Sequence, residues 1–330
     1  MKIPKKQKTP SRVLGQGIPA TLSFFLLLFL FLGVFFFSES RTFYARAGSG
    51  AISFAPNFTT TVDLEKKIIR DAPIASSADE EKVSAWLWRV RSPLLEFLSS
   101  APFLLTASLG IENEYALIRI PSGSRREEIG EIFTSLLEWK KEEKKEFLSL
   151  LETFEGRLPS GTYVFKKKES PQEIFGALAH RFEEKVSSRY TSETENLVPL
   201  KTTLTLASLV ERESAGNPED MSLIAGIFWN RLFAEDKLQS DVTLQYVKGN
   251  AKRGWWPRVY SKDKYIKSPF NTYLNEGLPP APIASPSVAA IEAVLNPEKT
   301  SCYFFLHDAK GEIHCATTYG EHLKNIQKYY

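Results

Sequence analysis

LASLVERESAGNP, residues 206–218, carries two glutamates two positions apart at the end of an apolar helical repeat, followed by a break. On a helix, residues three, four and seven apart share a face, while residues two apart point about 200° away from each other. Glu213 therefore joins Leu206, Leu209 and Val210 on the apolar face, and Glu211 is expected on the solvated one. A carboxyl group on an apolar face near a helix C-terminus is partly desolvated and meets the negative end of the helix dipole. Both effects raise its pKa, as a general acid holding its proton at neutral pH requires. The plainer alternative is a helix-end glutamate paired with Arg212 or Arg231, and periodicity alone leaves both open.

Downstream of the break, Asn217 suits a helix N-cap and Pro218 the first helical position, predicting a helix over 218–232. Residues 233–286 are long on loops and rich in Trp, Tyr, Asn and Pro. SPSVAAIEAVLNP then reads as a helix, YFFLHDAKGEIH as a hairpin turning near 308–311, and YGEHLKNIQKYY as a closing helix. Upstream, the helix over 203–213 follows a polar linker, 187–200, interrupted by Pro199. Before the linker, YALIRI from Tyr115 reads as a strand, PSG as a turn and SRREEIGEIFTSLLEW as a helix, with Ser124 and Glu127 at capping-box spacing. GTYVF and SPQEIFGALAHRFEEKV repeat strand and capped helix, so 115–190 is expected to be a small α+β module ahead of a domain over 200–330. Residues 38–60 read as a spacer, and helical patterns near 64–69 and 83–98 leave 38–114 without an interpretable motif.

At the N-terminus, residues 1–17 hold Lys2, Lys5, Lys6, Lys8 and Arg12 and no acid, and residues 18–37 run for 20 positions without a charge. Such a run crosses a bilayer core of roughly 30 Å as one helix. The basic flank predicts a cytoplasmic N-terminus, a single-pass anchor in the cytoplasmic (inner) membrane and an extracytoplasmic 38–330. A cleaved signal peptide is the rival, supported by Ala45 and Ala47, but signal h-regions are shorter, about 7 to 15 residues. Beyond the tail stand 37 basic and 39 acidic residues, a net −2 that argues against a nucleic-acid partner. Cys302 and Cys315 would lie where disulfides persist. With His307 opposite Glu312, however, the sulfurs fall diagonally on one face, about 7 Å apart, so without a register shift or bulge no bond is expected. His180, His307, His314 and His322 form no closely spaced ligand pair, and neither a metal nor a cofactor is expected.

ERES followed by AGNP resembles the Glu-Ser signature of lytic transglycosylases of the goose-lysozyme type, in which the glutamate is the sole acid/base. LASLVERES, GIFWNRL, LQSDVTLQY, SPFNTY, GLPPAPIASPS, YFFL and YGEH also stand in the order and spacing of the YceG-like endolytic murein transglycosylases. IPSGSRREEI and EGRLPSGTYVF resemble that family's LysM-like and linking segments, so the resemblance covers about residues 115–330. Val242 stands where the family usually has proline, Ala281 where it has glycine, and PSGTY replaces Pro-Asp-Thr-Tyr.

The resemblance implies a C-terminal lysozyme-like catalytic domain that cuts the β-1,4 bond between N-acetylmuramic acid and N-acetylglucosamine in glycan strands. Glu213 would protonate the glycosidic oxygen and then take the proton of the muramic acid 6-hydroxyl as it attacks C1. Ser214, Gln239, Ser240, Asp241, Thr243, Tyr246, Asn271 and Tyr273 are the candidates for binding or orienting the sugars, each with a structural role as the alternative. Trp255 and Trp256 suit an outer subsite or a loop anchor, and Asn230 and Arg231 a brace for their helix. Asp241 reads first as a loop organiser. If it lies across a cleft from Glu213, a lysozyme-like hydrolase becomes the rival enzyme. A non-enzymatic glycan-binding scaffold is the third reading, and peptidoglycan synthases are the partners the family leads one to expect.

Overall fold

Residues 56–71 and 114–330 are described by a computed structural model, and they adopt an α+β fold within one unit spanning Ser53–Tyr330. The basic tail, the apolar run 18–37 and the helical pattern near 83–98 lie outside the described residues. Among the described residues no helix is long and apolar enough to cross a membrane.

The first described segment is packed into the domain. Phe58 is buried, its amide donates to the Arg189 carbonyl at 2.9 Å, and the Arg189 guanidinium covers its ring at 4.0 Å. A hairpin of β1 (Val62–Asp63) and β2 (Ile68–Ile69) stands where the periodicity near 64–69 suggested a helix. Asp63 decides the matter: its Oδ1 accepts the Lys66 amide at 3.1 Å, and Lys67 turns left-handed at φ 52°, reversing the chain.

The α+β module runs β3 (Tyr115–Ile120), α1 (Arg126–Leu136), α2 (Lys141–Leu151), β4 (Gly161–Lys166) and α3 (Pro171–Lys185). The two strands pair antiparallel from Tyr115 opposite Lys166 to Ile120 opposite Gly161. Their alternation buries Ile118, Ile120 and Phe165 against Phe133 of α1, Phe147 of α2 and Leu178 of α3. The cap of α1 sits one residue later than the spacing of Ser124 and Glu127 suggests. Glu128 accepts the Arg125 amide at 2.9 Å, while Ser124 is engaged elsewhere, its carbonyl accepting the Ser285 amide at 2.8 Å.

The expected linker 187–200 contains a helix, α4 (Ser192–Leu197), because Thr191 Oγ1 accepts the Thr194 amide at 3.1 Å and caps it. Then come α5 (Leu200–Glu213), α6 (Pro218–Phe233), α7 (Asp241–Lys248), α8 (Val288–Leu295), β5 (Phe304–His307), β6 (Ile313–Ala316) and α9 (Tyr319–Tyr329). Helices α5, α6 and α8 enclose the second core, with Leu206, Leu209 and Val210 meeting Ile224, Phe228, Ile291 and Val294. Trp229 joins α6 to α8 by donating Nε1–H to the Val294 carbonyl at 2.9 Å.

Cys302 and Cys315 form a disulfide, which corrects the expectation from the sequence. Pairing runs from Phe304 opposite Ala316 to His307 opposite Ile313, one residue off the expected register. Tyr303 also donates to the Ala316 carbonyl at 2.9 Å, so two residues oppose one in a bulge that brings the cysteine Cα atoms to 5.8 Å. Asn230 donates to the carbonyls of Thr300 and Cys302, and Arg231 to that of Tyr303, so these two residues clamp the hairpin onto α6.

Candidate active site

Helix α5 ends at Glu213 because the next backbone turns left-handed. Ser214 is the C-cap, Ala215 and Gly216 take φ of 50° and 80°, and the Gly216 amide donates to the Glu211 carbonyl at 3.2 Å. Left-handed backbone costs a non-glycine residue about 1 to 2 kcal/mol, so Ala215 marks a turn held by its surroundings. Glu213 is thereby fixed at the rim of the α5, α6 and α8 core.

The Glu213 carboxyl is closely enclosed by protein, although part of the residue still meets solvent. Burial raises its pKa to about 7; the Ser240 hydrogen bond and Arg212 oppose this, and the charge of Asp241 adds to it. Neither Arg212 nor Arg231 pairs with it. The Arg212 guanidinium lies on the Trp256 ring at 3.8 Å, and Arg231 donates to the carbonyls of Lys237 and Tyr303. A carboxyl half-protonated near neutrality can both give and take a proton.

Ser240 donates its hydroxyl to Glu213 Oε1. It has little freedom: its amide donates to Thr272 Oγ1 at 3.0 Å, and its carbonyl accepts the Thr243 hydroxyl at 2.7 Å. Thr272 is therefore part of the arrangement. The sequence offered no periodic signal for it, since it lies in the irregular loop that precedes α8. Asp241 follows at the start of α7 and accepts the Tyr273 hydroxyl at 2.7 Å. Burial, followed by that bond and the acid charges, raises the Tyr273 phenol, which keeps it a donor. Gln239 is exposed at φ 50°, its amide donating to the Thr272 carbonyl at 3.1 Å. Glu213, Gln239, Ser240, Asp241 and Tyr273 thus share one corner.

The other candidates are engaged inside the protein. Ser214 is buried, donating to the Glu211 carbonyl at 3.2 Å. Thr243 and Asn271 are fully buried, Asn271 Nδ2 donating to the carbonyls of Lys264 and Ile266. Tyr246 anchors the module interface, its ring 4.9 Å from Phe270 and covered by Arg125 at 4.2 Å, and burial pushes its phenol up to about 12. Trp255 and Trp256 donate to Glu131 and Glu128 of α1, tying their loop to the α+β module.

Glu211 is corrected outright: it is 3 % exposed, not solvated. Its Oε2 accepts the Ser287 amide at 2.9 Å and hydroxyl at 2.6 Å. Ser287 caps α8, so the face of α5 opposite Glu213 meets α8 rather than water.

Asp308, Glu312 and His314 offer metal-type ligand atoms within 4.8 Å of one another at the hairpin turn. Asp308 is already committed there, Oδ1 to the Lys310 and Glu312 amides and Oδ2 to His314 Nε2 at 3.1 Å.

The chain is similar to proteins named endolytic murein transglycosylase. One from Bacillus subtilis (strain 168) is 38% identical over 176 residues, 53% of this chain and 48% of that protein. One from Streptococcus pneumoniae (serotype 2, strain D39) is 32% identical over 177 residues, 53% of this chain and 32% of that protein. The chain thus spans about half or less of the length of the curated relatives it matches. A crystal structure of a YceG-like protein from Listeria monocytogenes superposes with a TM-score of 0.55 at 28% identity, covering 64% of this chain and 76% of that one. Residues 98–328 match the model of the YceG-like family, and the chain belongs to that family.

Proposed function

We propose that this chain is an endolytic lytic transglycosylase that cleaves the β-1,4 bond between N-acetylmuramic acid and N-acetylglucosamine in nascent peptidoglycan. The observation that carries the reading is Glu213, an enclosed carboxyl with its pKa raised to about 7 and oriented by a serine that is itself fixed. Protonated Glu213 gives its proton to the glycosidic oxygen as the bond to C1 breaks. The carboxylate then takes the proton of the muramic acid 6-hydroxyl as that oxygen bonds C1. The proton account closes on one side chain, no water enters, and the product carries a 1,6-anhydro end. Gln239, Asp241 and Tyr273 face the sugars beside it. Ser240 aligns the acid.

The α+β module over 115–190 serves as a LysM-like glycan holder beside the lysozyme-like domain. The apolar run 18–37 anchors the chain in the cytoplasmic membrane with the catalytic domain outside, where cutting new strands ends their elongation close to the synthases that extrude them.

A second reading, a hydrolase using Glu213 with Asp241, is favoured by one observation: Asp241 lies near enough for its charge to raise the Glu213 pKa. Mass analysis of uncrosslinked glycan digested by the purified chain separates the two. Anhydro ends, lighter by one water than reducing ends, are expected; reducing ends alone make the hydrolase correct, and uncut glycan refutes both.

A further inference from the structure

The segment 248–267 departs from the slightly acidic remainder of the chain, carrying seven basic residues against one acid, Asp263. Asp263 is buried and taken by Lys248. Lys252, Arg253, Arg258, Lys262, Lys264 and Lys267 are all exposed, and none has an ion-pair partner among the described residues. Six exposed cations in 16 residues (252–267) give this loop a positive field that attracts anions.

Two of the cations are placed beside the active corner. Lys264 lies over the Tyr273 ring at 4.7 Å, and the Tyr273 hydroxyl bonds Asp241. Lys267 lies beyond, at the edge of an open depression of about 480 Å³ completed by Ser268, Pro269, Leu274 and Asn275. Leu274 is 41 % exposed there, an apolar contact beside a free ammonium. Asn275 braces the floor, donating to the carbonyls of Ser268 and Asn271. A cation, an alkyl surface and a volume of this size suit a short peptide with a free carboxylate and small apolar side chains.

We infer that this depression, with Lys264 and Lys267, is a subsite for the carboxylate-bearing peptide stems carried by the muramic acid residues of the glycan. The inference rests on the glycan-cleaving reading above and deepens it: the protein selects stem-bearing over stem-free strands. Asp241 stands exposed in the active corner and repels an anionic substrate, and the cations of this loop offset that repulsion. The continuity from Lys264 to Tyr273 and Asp241 favours the substrate over an anionic lipid surface as occupant.

The test uses the full chain and glycan with its stems intact or removed by an amidase. For the wild type, kcat/KM is expected to be higher on stem-bearing strands, with the preference vanishing at high salt. In Lys262→Gln/Lys267→Gln the preference should fall about tenfold, within the range of electrostatic steering, while Lys267→Arg retains it. Equal loss on both glycans, or no preference in the wild type, overturns the inference. Binding of stem-bearing and stem-free fragments to Glu213→Gln is measured in parallel, so selective stem binding by that variant together with a wild type that cuts neither glycan refutes the catalytic reading and leaves the subsite standing. A variant defect confined to sedimentation with phosphatidylglycerol vesicles, with glycan selectivity intact, assigns the loop to the membrane and overturns it.

Discussion

Replacing Glu213 by glutamine keeps the shape and the acceptor for Ser240 but removes the titrating proton, so its effect on stability must depend on pH. The native carboxyl titrates at about 7 against 4.5 for the free group. That difference corresponds to about 3 kcal/mol, an upper figure because part of the residue meets solvent. For a raised acid the sign is fixed: the folded chain holds the proton more tightly than the unfolded one. The wild type therefore loses stability as pH rises from 4.5 through 7, and the loss is complete above that. Glu155 is also raised to about 7, chiefly by burial, but it is present in both proteins and cancels in the difference. Urea unfolding of wild type and Glu213→Gln between pH 4 and pH 9 should give curves that converge at the acid end. At the alkaline end Glu213→Gln should be more stable by about 1 to 3 kcal/mol. A difference constant across pH would refute the burial argument for this carboxyl.

Three further outcomes follow from the same contacts. Ser240→Ala removes a hydrogen bond that favours the charged form of Glu213. The limb of the pH–rate profile set by Glu213 should move to higher pH and kcat fall about tenfold or more; an unmoved limb denies the contact. Glu211→Ala leaves the Ser287 amide and hydroxyl without their acceptor, and urea unfolding should show a loss of about 1 to 3 kcal/mol, against almost none for a solvated glutamate. Replacing Cys302 and Cys315 by serine opens a loop with a sequence separation of 13, for which chain entropy gives about 3 kcal/mol. A calorimetric Tm equal to that of the wild type would show the bond absent.

Where residues repeat with a period, the sequence was readable. The face shared by Leu206, Leu209, Val210 and Glu213 placed the acid, and the alternation in YALIRI and GTYVF placed the strands. Glu211 is buried where helical periodicity predicts water, because α5 meets a second helix on the face away from its apolar stripe. Helix α2 and helix α7 went unread: the first is almost all Lys and Glu on its surface, and the second sits inside a loop-rich stretch. For the candidate polar residues, residue type alone gives no way to tell a binding group from a brace. Asn271, Thr243 and Ser214 turn their polar atoms onto backbone, while Gln239 and Asp241 remain exposed. The disulfide depended on a bulge at Tyr303, which spacing does not encode.

The carboxyl at 213 carries its proton to neutrality. Carbon-13 NMR of the glutamate side-chain carboxyls, with Glu213 assigned by its loss in Glu213→Gln, measures this directly. A titration midpoint near 7 is the predicted result; a midpoint near 4.5, the value of an unperturbed glutamate, would contradict it.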